Sequence, residues 1–239
     1  MNSDRSRYSW QEAAVLSIEG KQAAEFLQGY VTADTRRLTG DVCLPAALCN
    51  LQGRVVSNGW LLTVNPEHIA FIVHASLAED VKRFLAPYAR FSRCALNLGV
   101  VTPLLNRDSK GLVLSGAWCI ELGSEVSGSE ALHDASAAVN RALVEADFAW
   151  VSAATSAQFL PQMLGLDGVG AVDFDKGCYL GQEIVARAQH RGRVKRRLSA
   201  FSWQGTPPVS GEKNDQGSTV VMVACDENDP HQGSALAVT

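Results

Sequence analysis

The chain has 239 residues, 46% of them apolar and 19% charged, with a formal net charge of −4. This is the composition of a folded protein of one large domain or two or three small ones, and it excludes disorder and whole-molecule attraction to nucleic acid. The polar start Met1-Asn-Ser-Asp-Arg-Ser-Arg7 and the lack of any run of roughly 18 apolar residues predict no secretory signal, no membrane anchor and a cytoplasmic location.

In chain order, residues 13–18 read as a buried strand closed by Gly20. Residues 21–30 read as a helix with Ala23, Leu27 and Tyr30 on one face. Residues 42–50 and 54–64 read as two strands, joined by the turn Asn50-Leu-Gln-Gly53, in which Gly53 can take a positive φ. Residues 69–73 form a third apolar strand. Ser76 and Glu79 have capping-box spacing before a helix with the stripe Leu77, Val81, Phe84 and Leu85, and Pro87 is expected to end it. Residues 95–101 return as strand. The order β-α-β-β-β-α-β predicts an α+β layer, with helices on one face of a mainly antiparallel sheet.

Beyond that layer, residues 112–122 are strand-like with a break at Gly116. Residues 123–128 form a turn-rich spacer and 131–146 an alanine-rich helix. Residues 155–170, with Pro161 and three glycines, read as an ordered loop. Residues 182–190 read as a short helix with Gly192 beyond its end. The tail has strands at 198–203, 218–224 and 235–238. The turn Pro207-Pro208 and the polar run 211–217 separate the first two, as in a small all-β module.

The six cysteines, Cys43, Cys49, Cys94, Cys119, Cys178 and Cys225, are scattered without a CxxC pair. A disulfide framework and a structural zinc site are therefore not expected, and most of these thiols should be buried small hydrophobes. The histidines His68, His74, His133, His190 and His231 have no metal-motif spacing, so no metal is expected. Pairing of His190 with Cys178 would require the fold to bring them together.

Chemistry concentrates in Lys176-Gly-Cys-Tyr-Leu-Gly-Gln-Glu183. Gly177 and Gly181 bracket Cys178 and permit tight turns. Cys178 precedes a helix N-terminus and stands two residues from Lys176. Both features stabilise a thiolate and lower the thiol's pKa. Glu183 lies in the first helical turn, where it can bind an amide-like nitrogen face or pair with Arg187 at i+4. The residues also admit a plainer reading, a packed cysteine and a solvated Glu–Arg pair. The run Arg191-Gly-Arg-Val-Lys-Arg-Arg197 has five cations in seven residues. It could meet an anionic ligand tail or a nucleic-acid phosphate, or be a solvated strand.

Lys176-Gly-Cys-Tyr-Leu-Gly-Gln-Glu183 resembles the K-G-C-Y-x-G-Q-E signature of the YgfZ-type folate-binding family, which is related to the glycine-cleavage T-protein, an aminomethyltransferase. The opening strand and helix (16–34), the hairpin Leu48-Cys-Asn-Leu-Gln-Gly-Arg54, the approach Phe159-Leu-Pro-Gln-Met163 and the exit 192–198 extend the resemblance over residues 13–239. It implies an α+β, T-protein-like three-part folate-binding fold. Residues 1–105 and 106–195 would form two closely packed parts, the first ferredoxin-like, and 196–239 a C-terminal β-barrel-like module. Tetrahydrofolate or a derivative would occupy a central cavity. The implied role is accessory: supporting assembly or repair of iron–sulfur enzymes under oxidative stress, with effects on tRNA modification through such enzymes.

Carried over by position, Cys178 would be the reactive residue. Lys176, Tyr179, Gln182 and Glu183 would shape its site, Gly177 and Gly181 its backbone, and Arg187 would orient Glu183. The expected partners are folate and iron–sulfur clients or assembly factors, with neither membrane nor nucleic acid. A stably held cluster is not expected from one cysteine. The alternatives are a tetrahydrofolate-dependent aminomethyl transferase and a tRNA-binding protein. Two departures from the family pattern stand out. Asp147 takes a position where relatives carry glycine, which bears on the cavity wall, and the stop after Val238 implies a barrel short of its last strand.

Overall fold

The computed structural model describes residues 7–39, 42–106, 112–115, 118–123, 132–190 and 194–239. Residues 1–6, Gly116, residues 124–128 of the spacer, Ala131, Arg191, Gly192 and Arg193 lie outside them, so the helix stop at Gly192 and part of the basic run are not described. The elements are β1 (Tyr8–Ser9), β2 (Ala13–Glu19), α1 (Ala23–Gln28), β3 (Leu44–Cys49), β4 (Val55–Asn65), β5 (His68–His74), α2 (Ala78–Ala89), β6 (Ala95–Leu98), β7 (Thr102–Asn106), β8 (Leu112–Ser115), β9 (Trp118–Gly123), α3 (Ser136–Glu145), α4 (Gln182–His190), β10 (Leu198–Gln204), β11 (Thr219–Cys225) and β12 (Gln232–Val238).

The described strands form three sheets. The first has the order β3-β4-β5-β2-β6 with every neighbouring pair antiparallel. Without the edge strand β3, the order β4-β5-β2-β6 and the β-α-β-β-α-β connection are those of a ferredoxin-like layer. Ile69 to Val73 of β5 are buried in succession, so this strand reads as a continuous apolar run rather than an alternation. Each fully buried side chain there, such as Phe71, contributes about 1.5–3 kcal/mol. The second sheet, β1-β7-β9-β8, places the N-terminal strand beside β7. The third, β10-β12-β11, carries a bulge between Val220 and Met222.

Helix boundaries depart from the sequence reading for local reasons. α1 ends at Gln28, so Tyr30 lies past its end, half-buried, and the buried stripe is Ala23, Phe26 and Leu27. Pro87 does not end α2 but lies inside its last turn, on the exposed face, where water can serve the carbonyl it leaves unbonded. The capping box at Ser76 and Glu79 does not form. A 3-10 turn over Ala75–Leu77 precedes α2, and His74 Nδ1 accepts from the Ser76 backbone N–H at 3.2 Å. α3 starts at Ser136, where Asp134 Oδ1 accepts from the Ser136 backbone (3.1 Å) and hydroxyl (2.7 Å).

Asp147 explains itself at the other end of α3. It takes φ 53°, in the left-handed region where glycine is usual and Asp is tolerated. Its N–H donates to Val144 O (3.1 Å) and that of Phe148 to Leu143 O (2.9 Å), the paired bonds of a Schellman cap. The substitution therefore keeps the turn. It feeds Phe148 and Trp150 into an aromatic cluster with Trp10 and Trp60, in which Trp60 stacks on Phe148 at 4.7 Å. The buried Asn58 fixes this segment to β4 by donating to Ala149 O (2.9 Å) and accepting from Val151 N (2.8 Å). Among the described residues no helix is long and apolar enough to cross a membrane.

Candidate functional site

The signature segment is held by two earlier loops. Gly181 takes φ +81°, and a Cβ there would lie 2.3 Å from Asn50 O and 3.3 Å from the Cys49 Cβ. Gly53, at φ +69°, faces the start of α4, and its Cβ would meet the Ile184 Cβ at 2.9 Å. The two glycines let the Asn50–Gly53 turn and the N-terminus of α4 pack backbone against backbone. The other support is the chain after α1. Leu180 N donates to Gly29 O (3.0 Å), Asp173 N to Thr32 O (2.9 Å), and the Thr32 hydroxyl to Ala171 O (2.5 Å). Gly177 has neither a positive φ nor any atom within 4 Å of a built Cβ, so the backbone role expected for it has no basis in its geometry.

Lys176 is 5% exposed, and its ammonium donates to the carbonyls of Gln28 (2.7 Å), Val31 (2.7 Å) and Ala33 (2.9 Å). All three donors are spent, and one acceptor belongs to the last residue of α1, where the helix dipole favours a cation. The Tyr179 ring lies 5.0 Å from the same ammonium. Burial pushes the Lys176 ammonium down to about 8, against the pull of Asp34 and Asp173. A buried cation needs partners on all sides. Lys176 is thus a strut of the site, and its charge is committed to backbone carbonyls rather than to the Cys178 thiol. Asp34 completes the support: the Arg36 guanidinium bonded to it at 2.6–3.1 Å holds its carboxyl well below the usual range.

On this platform Cys178 is exposed, whereas Cys49 and Cys119 are buried and Cys43, Cys94 and Cys225 half-buried. Burial pushes the Cys43 and Cys49 thiols up to about 12, which removes them as nucleophiles near neutral pH. Cys178 lines an open groove of about 480 Å³ with Tyr30, Leu51, Tyr88, Gln182 and Glu183. Tyr179 turns inward, and burial raises its hydroxyl's pKa, with Cys49 adding to the rise. Glu183 and Arg187 form the expected i,i+4 pair at 2.8 Å, 80% and 62% exposed, a solvated contact worth about 0–1 kcal/mol. His190 packs edge-on to Phe174, 6.1 Å between centroids, and no contact joins it to Cys178 among the described residues.

A second concavity was invisible to the sequence. Glu12, His74, Asn140, Trp150, Ser210 and Met222 line a cleft of about 140 Å³ where the first sheet, α3 and the C-terminal module meet. Glu12 Oε2 accepts from Asn140 Nδ2 at 2.8 Å, and Asn140 Oδ1 is buried without a partner. Burial lowers the His74 pKa, and Glu12 opposes the shift. His74 Nδ1 accepts from the Ser76 backbone N–H, so the neutral ring carries its proton on Nε2. Glu12 and Asn140 therefore offer the cleft acceptors, and His74 a donor. No spacing rule connects residues this far apart in the chain. The only advance signal was that Glu12 and Asn140 are polar residues beside apolar ones. Among the described residues no group of three or more metal-ligating side chains occurs.

No family model matches the chain. It is 32% identical to the tRNA-modifying protein YgfZ of Escherichia coli O157:H7, over 83% of this chain and 72% of that protein. The YgfZ proteins of Shigella dysenteriae serotype 1 and Escherichia fergusonii match at the same identity and coverage. The chain belongs to the YgfZ family. Among solved structures, the glycine cleavage system aminomethyltransferase T from Bartonella henselae superposes with a TM-score of 0.70, covering 98% of this chain and 78% of that one at 14% identity. This YgfZ-family chain therefore has the α+β T-protein fold, and the likeness reaches no further than the fold.

Proposed function

We propose that this chain is a folate-binding accessory protein that serves tRNA modification by maintaining iron–sulfur enzymes in the cytoplasm. The tRNA link follows the name carried by its relatives, and the folate link follows the T-protein fold. The observation that carries the reading is the cleft where the first sheet, α3 and the C-terminal module meet. A pterin presents adjacent N–H donors beside a carbonyl. Glu12 and the orphaned Asn140 Oδ1 would accept from the donors, and His74 Nε2–H would donate to the carbonyl. The cleft is sized for a ring system, so the remainder of a folate would extend out of it. A bound reduced folate would supply a one-carbon unit or a reducing pterin. The protein's own part is to bind and orient it.

Cys178 would act on the client. Its thiolate attacks a client disulfide, a new S–S bond forms as the old one breaks, and the departing thiolate takes up a proton, so the step needs no outside oxidant. Tyr30, Leu51 and Tyr88 around the thiol offer an apolar rim for such a contact. In a bacterium deleted for its own YgfZ, this chain is expected to restore the thiolated nucleosides of tRNA and Cys178→Ala is not. Equal rescue by both would overturn the assignment of Cys178.

A further inference from the structure

The C-terminal module holds a larger cavity, about 540 Å³, that belongs neither to the Cys178 groove nor to the junction cleft. Its walls come from the two ends of one sheet. On one side β10 pairs with β12 alone among the described residues. Beyond β11, Glu212 O accepts from Val220 N (2.8 Å), Gly211 N donates to Val220 O (2.8 Å), and Lys213 bridges Thr219, so residues 211–213 extend the sheet. Residues 201–204 and 212–216 both line the cavity, which makes it the open seam of a curled sheet. Four successive β10 residues touch it although their side chains alternate between faces, so it runs along the strand's unpaired edge.

A second observation calls for a ligand. Trp203 is 7% exposed, lines the seam, and its indole N–H has no hydrogen-bond partner. A buried donor left unpaired is costly, and an acceptor delivered to it recovers that cost. Pro208 and Val209, the latter 55% exposed, give the seam an apolar lip. Glu212 and Asp215 in its wall outnumber Lys213, and none of the three is in an ion pair among the described residues.

We propose that this seam binds an extended, cationic peptide segment of a partner protein, which adds as a strand to β10 and offers a backbone carbonyl to Trp203. A strand supplies alternating donors and acceptors to an edge that lacks them, and the acidic wall selects its charge. The reading is independent of folate and of Cys178.

The test is titration of the 15N-labelled chain with a capped hexapeptide of alternating lysine and valine, followed by NMR. The Trp203 indole N–H and the β10 amides should shift. Trp203→Phe should weaken binding roughly three- to tenfold, the size of one lost hydrogen bond. The glutamate–valine counterpart should bind more weakly, and Asp215→Asn, at an exposed site, should narrow that difference. No shift at millimolar peptide overturns the proposal. So does an equal response to a proline-interrupted peptide, or a concentration-dependent dimer that protects the β10 amides, which would assign the seam to a second copy.

Discussion

The Cys178 groove and the junction cleft are built in opposite ways. The groove is assembled from three short segments around residues 29–35, 49–54 and 171–183 with Tyr88 of α2 at its rim, locked by close backbone packing and by one buried cation. The cleft is assembled from side chains of the first sheet, α3 and the C-terminal module and closed by few bonds, chiefly Glu12 with Asn140 and His74 with Ser76. The first arrangement makes a rigid presentation of one thiol. The second leaves a polar atom, Asn140 Oδ1, without a partner, which suits the cleft to the proposed ligand. Damage to the groove should therefore cost stability, and damage to the cleft should cost binding.

The largest effect is expected at Gly181. A Cβ there has no room against Asn50 O and must adopt an unfavourable φ, so Gly181→Ala should lose about 3 kcal/mol or more in urea denaturation. Lys176→Met should follow, at about 2–4 kcal/mol, because three carbonyls, two of them buried, lose their donors together. Asp34→Asn should cost about 0.5–1 kcal/mol at neutral pH, because the amide keeps the cap but loses the ion pair with the exposed Arg36 guanidinium. Its sign with pH is fixed. Arg36 depresses the folded-state pKa of Asp34, so the contribution is complete above the unfolded value of about 4 and fades as pH falls below it. The difference between the two proteins' thermal melts should be narrower at pH 3 than at pH 7, and it should close fully only below the depressed folded-state value. Gly177→Ala, with open space around it, should change stability by less than about 0.5 kcal/mol, and a large loss there would break the contrast with Gly181.

The sequence revealed most where one segment carries the information. The β-α-β-β-β-α-β order and the antiparallel sheet were legible because apolar runs and turn glycines are local signals. Cys178 stood out in the sequence because its glycine and lysine neighbours lie beside it in the chain, and the structure leaves it exposed. The role of Lys176 was misread because only the fold shows that the chain leaving α1 presents three carbonyls to it. Gly177 and Gly181 look alike in sequence, and only the neighbouring Asn50 turn separates them. The ending expected at Pro87 failed because the proline falls on a solvated face near the helix end. Glu12, His74 and Asn140 were illegible because tertiary packing alone brings them together.

The most direct measurement is calorimetric titration of tetrahydrofolate into the wild-type chain, Glu12→Gln and Cys178→Ala. Binding kept in Cys178→Ala and weakened about tenfold or more in a well-folded Glu12→Gln is the predicted result, since the carboxylate would accept charge-assisted bonds from the pterin. Unchanged binding in Glu12→Gln, or no binding by the wild type, would contradict the placement of folate in the junction cleft.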